Sequence, residues 1–94
     1  MSDYSYELEL ENNIIQADFE KIKKVIFQKI KINFINFNPI KTSEFINETQ
    51  DIPHVFKGIY FSFLSSEDAY ESIVEKVQYE VNGLGYKIRS VKER

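Results

Sequence analysis

Any chemistry in this chain has to be built from carboxylates, tyrosines and one histidine, because its 94 residues include no Cys and a single His. Nucleophilic triads and zinc centres draw on His and Cys in numbers that are missing here. His54 stands between Pro53 and a strand-like run, where a lone solvated imidazole is expected and a pH-sensing role would need a charged partner. Gly83-Leu84-Gly85 follows a helical pattern instead of opening one, so no helix N-terminus is offered to a phosphate. It reads as a helix stop, with Gly83 in the left-handed position and Leu84 making the accompanying apolar contact. Glu7, Glu9 and Glu11 fall on one side of an alternating segment, roughly 7 Å apart along a strand. That spacing suits a hard cation, yet Lys87 and Arg89 carry the same alternation near the other end of the chain, and cross-strand charge pairing is the reading adopted. The expectation is a non-enzyme with no catalytic residues, no metal and no cofactor.

The elements that position these residues follow from periodicity. From Tyr4 to Glu11, Tyr4, Tyr6, Leu8 and Leu10 alternate with Ser5, Glu7, Glu9 and Glu11, which predicts a half-buried strand. Asn12 or Asn13 is placed to cap a helix over about Ile14 to Lys31, whose Ile15, Phe19, Ile22, Ile26 and Ile30 recur at helical spacing. Ile32 to Phe37 is β-branched and aromatic, and Asn38-Pro39 stops it. Residues 38 to 53 form the longest irregular stretch, carrying Glu44, Phe45, Glu48 and Asp51; long loops in small domains are more often functional than short ones. Val55 to Leu64 is apolar on both faces, the mark of a central strand. Ser65-Ser66-Glu67-Asp68 resembles a capping box ahead of a second helix with Ala69, Ile73, Val77 and Val81 in a row. Tyr86 to Val91 is a last strand, and Lys92-Glu93-Arg94 a charged tail.

The order βαββαβ predicts a single α+β domain over residues 1–94 of ferredoxin-like, split βαβ arrangement: a four-stranded antiparallel sheet ordered 4-1-3-2, with two helices on one face. Helix one leans basic through Lys21, Lys23, Lys24, Lys29 and Lys31, and helix two acidic through Glu67, Asp68, Glu71, Glu75 and Glu80. Composition narrows the class further. With 43% hydrophobic and 29% charged residues and a net charge of -3, the chain is too apolar for a disordered tail and too evenly charged for a polybasic nucleic-acid binder. It contains neither a leader-like basic-then-apolar start nor a membrane-length apolar run, and its lack of Cys suits a reducing compartment. A cytoplasmic location without membrane attachment is expected.

Lys57-Gly58-Ile59-Tyr60-Phe61-Ser62-Phe63-Leu64, followed by Ser66-Glu67-Asp68-Ala69, resembles the RNP1 strand and second helix of an RNA recognition motif, matching at Lys57, Gly58 and Phe61. Ile59 stands where that family has a stacking aromatic, Tyr60 where it has a small residue, and the first strand offers Glu7, Glu9 and Glu11 where RNA would lie. The resemblance implies the shared fold and, as an alternative function, RNA binding through the sheet with Phe61 stacking on a base.

Eight Phe and six Tyr exceed what one helix-covered face can hide. If Phe34, Ile59, Phe61 and Phe63 pack under the helices, strict alternation turns Ile35, Phe37, Phe56 and Tyr60 outward; the opposite phase exposes the first set. Either phase predicts an apolar patch, and patches of that kind mark interaction surfaces. The function expected from sequence is therefore a small protein-binding module, an inhibitor of the immunity, antitoxin or phage-antagonist type. Phe37, Glu44, Phe45, Glu48, Asp51 and Tyr60 would bind a basic site on a toxin or nuclease, with a homodimer sealed sheet to sheet as the competing use of the rings.

Overall fold

Alternation makes the first segment a strand, and helical spacing makes the next a helix. In the computed structural model, which describes residues 1–42 and 55–94, the elements run β1 (Ser2–Ile15), α1 (Gln16–Lys29), β2 (Phe34–Lys41), β3 (Val55–Ser65), α2 (Tyr70–Gly83) and β4 (Ile88–Glu93). The strands form one antiparallel sheet ordered β2-β3-β1-β4. This is the expected ferredoxin-like α+β fold, with the two-sided apolar strand β3 in the interior of the sheet.

Register decides which residues face the helices. Tyr6 pairs with Phe61 and Leu8 with Ile59, Phe37 with Phe61 and Leu8 with Val91, so one face presents these side chains in rows across the strands. Phe19, Ile22 and Ile26 of α1 and Val74, Val77 and Val81 of α2 close over that face to form one core. Phe61 and Phe63 are wholly enclosed within it, and each buried ring contributes roughly 1.5–3 kcal/mol against leaving it in water. The opposite face carries Asn38, Tyr60, Glu7 and Lys92 in one row and Asn36, Ser62 and Ser5 in the next.

Two expectations about the aromatics are corrected here. The pairing of β2 with β3 slips between Phe34 and Asn36, leaving Ile35 as the extra residue of a bulge. Because a bulge resets the two-residue period, Phe34 and Phe37 lie on the same face, and Phe37 is buried at 6% exposure, beside Phe19 and Phe61. Phe56 lies opposite Ile14, past an irregularity in β1, and is also buried. The outward cluster of rings therefore does not form: of the four residues, Ile35 is exposed and Tyr60 alone places a ring on the open face.

The helix ends differ in detail from the sequence reading. Asn12 and Asn13 belong to β1; α1 starts instead where Asp18 Oδ2 accepts the Ile15 backbone N–H at 3.1 Å, satisfying one donor at the helix start. α2 starts at Tyr70, after a turn in which Ala69 N–H donates to Ser66 O. At its other end Gly85 N–H donates to Asn82 O and Tyr86 N–H to Val81 O, a Schellman arrangement. Gly85, at φ 99°, takes the left-handed position, and Gly83 remains within the helix.

Candidate functional site

Of the expected partner-binding residues, Phe37 and Tyr60 fall among the described ones. Glu44, Phe45, Glu48, Asp51 and His54 lie outside the described residues. Phe37 is core, and Tyr60 lies on the open face of the sheet. The RNA-recognition resemblance meets a similar difficulty, because Ile59 and Phe61, at the positions where that family stacks bases, point under the helices and are fully buried. Gly58, the other matched residue, has a local reason for being glycine: a Cβ there would run into the Leu8 carbonyl oxygen and sit 2.9 Å from Glu9 Cα.

Around Tyr60 the open face is polar. Asn36 Nδ2 donates to Ser62 Oγ at 2.9 Å, and hydrogen bonds from Ser5 first, then Ser62 and Arg94, hold the Tyr60 hydroxyl below the usual tyrosine value of 10.0. Arg94 crosses this face with its guanidinium carbon 4.3 Å from the Tyr60 ring centroid and its Nε 2.9 Å from Glu7 Oε2. Arg89 reaches Glu9 Oε2 at 3.7 Å. Glu7 and Glu9 of the acidic stripe of β1 are thus answered by arginines, as the alternation suggested, although Arg94 takes a place that Lys87 was expected to share. Among the described residues no group of three or more His, Asp or Glu is arranged to hold a metal ion.

A second surface lies where α2 meets the edge of the sheet. Tyr4 stacks on Tyr70 with ring centroids 4.2 Å apart and planes 4° from parallel. Beside them a groove of about 410 Å³ is lined by Tyr6, Tyr70, Glu71, Val74, Glu75 and Glu93. Its potential is negative: the charge of Glu71, ahead of burial, pushes the Tyr70 hydroxyl up, and Glu93 adds to burial in raising Tyr6. None of the acids of α2 forms an ion pair among the described residues, where the two pairs are Arg89–Glu9 and Arg94–Glu7. The basic lysines of α1 therefore form no ion pair with the acids of α2 among the described residues. Sequence reasoning missed this groove because Tyr6, Tyr70 and Glu93 belong to three separate elements; the one available signal was the acidic bias of the second helix.

A part-buried polar contact joins two elements at Tyr86, whose hydroxyl donates to Asp18 Oδ1 at 2.8 Å. Asp18 is held below its ordinary 3.8, chiefly by that bond, and Tyr86 is pushed up to about 12, chiefly by burial. General acid–base catalysis favours values near neutrality, and this pair is moved away from it in both directions; its work is to tie the end of α2 to the start of α1. No helix among the described residues is long and apolar enough to cross a membrane. Set against protein-family models, curated proteins and solved structures, the chain matches none.

Proposed function

We propose that this chain is a small cytoplasmic protein-binding module without enzymatic activity, an inhibitor of the immunity, antitoxin or phage-antagonist type that covers a basic site on a partner enzyme such as a toxin or nuclease. The observation that supports this reading is the run of carboxylates on α2 that form no ion pair among the described residues, beside the Tyr4–Tyr70 stack and the Glu93 groove. An aromatic surface under negative potential suits Lys and Arg, which gain charge attraction from the acids and cation–π contact from the rings. Enzymes that handle nucleic acid present such cations in their substrate sites, so one acidic cover competes directly with substrate. The loop acids Glu44, Glu48 and Asp51 extend the same reading.

The test is capture of the partner from native lysate on immobilised protein, with the captured mass identified and then re-bound to variants. Reversing Glu71, Glu75 and Glu93 to Lys is expected to weaken binding at least tenfold at low salt and to flatten its salt dependence, since charge complementarity governs encounter and register. A parallel reversal of Glu44, Glu48 and Asp51 measures the loop's share. Unchanged binding by both variants, or capture of a nucleic acid or of a second copy of the chain, overturns the inhibitor reading.

A further inference from the structure

At the centre of the open sheet face a guanidinium is already bound, and it is the protein's own. Arg94 anchors through its backbone N–H to Ser5 O at 2.8 Å, lays its side chain over the Tyr60 ring at 4.3 Å and directs Nε to Glu7 Oε2 at 2.9 Å. The ring and the carboxylate come from neighbouring strands and are brought opposite each other by register, Glu7 facing Tyr60. Together they select a group that is flat, cationic and able to donate in its own plane while its face stacks. An ammonium satisfies the carboxylate but presents no plane to the ring. A nucleobase satisfies the ring, but the phosphates on either side of it would meet Glu7 and Glu9.

The site is also open to exchange. The Arg94 side chain is 56% exposed and that of Glu7 30%, and exposed pairs of this kind hold only weakly. We infer that the Tyr60–Glu7 platform is a recognition site for an arginine side chain of a partner protein, with Arg94 as the internal occupant that the partner's arginine displaces. This rests on the protein-binding reading and sharpens it by naming the side chain the partner presents. It also gives Arg94 a regulatory effect, because apparent affinity falls by the fraction of molecules in which the platform is free. If Arg94 fills it about nine-tenths of the time, removing that side chain tightens binding roughly tenfold.

The experiment uses the full chain, isotopically labelled, and two capped tripeptides, Arg-Gly-Arg and Lys-Gly-Lys, titrated while the amide resonances of Ser5, Tyr60 and Ser62 are followed. In R94A the arginine peptide is expected to bind roughly tenfold more tightly than to the natural chain and several-fold more tightly than the lysine peptide. Adding E7Q or Y60L to R94A is expected to abolish the shifts. The same spectra report whether each variant is folded, and R94Q, which keeps the side chain's length without its charge, repeats the test if R94A is not. Equal binding by R94A and the natural chain, equal binding of the two peptides, or shifts confined to Tyr70, Glu71 and Glu75 overturns the inference. The last of these outcomes leaves the acidic-groove reading standing, so the two proposals fail separately.

Discussion

Asp18 shows how one side chain in a small domain can do several structural jobs. Its two oxygens accept from the Ile15 backbone and from the Tyr86 hydroxyl, so a helix start, a helix end and the approach to β4 meet at one carboxylate. The linkage to pH follows from the two displaced values. Asp18 sits below its ordinary 3.8 because of Tyr86 first and the Ile15 N–H second; the unfolded chain takes up that proton earlier, so stability falls as pH drops through the folded value. Tyr86 is raised to about 12; the unfolded chain releases its proton from pH 10, so stability falls as pH rises from there towards 12. Chemical denaturation of Y86F is expected to show a loss of about 1–2 kcal/mol at pH 7, the worth of a charge-assisted hydrogen bond. Its acid and alkaline limbs should both become shallower. The alkaline limb should not vanish, because Tyr4, Tyr6 and Tyr70 are raised as well. Unchanged limbs in Y86F would detach the pair from the pH dependence.

At the scale of elements, ends and irregularities carry more information than interiors. α2 ends on a glycine in the left-handed region, Gly85 at φ 99°, with open space around it. Gly83 is inside the helix and equally uncrowded. The two should therefore respond oppositely to the same change. Gly85→Ala is expected to cost about 1 kcal/mol, because a Cβ is strained in that conformation. Gly83→Ala should add about 0.5–1 kcal/mol through helix propensity and a less flexible unfolded chain. Thermal melts of both variants check the assignment; a reversed order of stability would place the cap at Gly83, as the sequence alone suggests. The bulge at Ile35 matters in the same way, since one extra residue turns Phe37 from a surface ring into a core ring and removes the patch on which a sheet-to-sheet homodimer was to close.

For the whole molecule, the aromatic excess is a matter of stability. Phe34, Phe37, Phe61 and Phe63 form one connected cluster of rings, joined by Tyr4, Tyr6, Phe19 and Phe27. A chain of this length buries little more than about 60% of its extended surface, and large rings fill the available core with few residues. Phe61→Ala is expected to cost about 3–5 kcal/mol, a large share of the roughly 5–15 kcal/mol typical of small domains. Urea denaturation reads this directly. An RNA-stacking role for Phe61 would instead predict a folded, fully stable variant that had lost binding. Among the described residues Glu9 and Glu7 of β1 are met by Arg89 and Arg94, whereas the acids of α2 form no ion pair.

The sequence by itself determined the periodicities, and from them the six elements, their order and the sheet topology, because alternation and helical spacing are local properties that only one arrangement of this order satisfies. It also made β3 an interior strand, through apolar residues at both parities, and anticipated cross-strand charge pairing between the carboxylates of the first strand and cations of the last, which Glu9 and Arg89 make. Tertiary structure decided everything that depends on register. The slip at Ile35 set the side of Phe37; the pairing of Glu7 with Tyr60 built a platform that no spacing along the chain reveals; the meeting of Tyr6, Tyr70 and Glu93 made an acidic groove from three elements. Such features rest on contacts between residues tens of positions apart, and a single bulge is enough to change them without altering any of the patterns from which the fold is read.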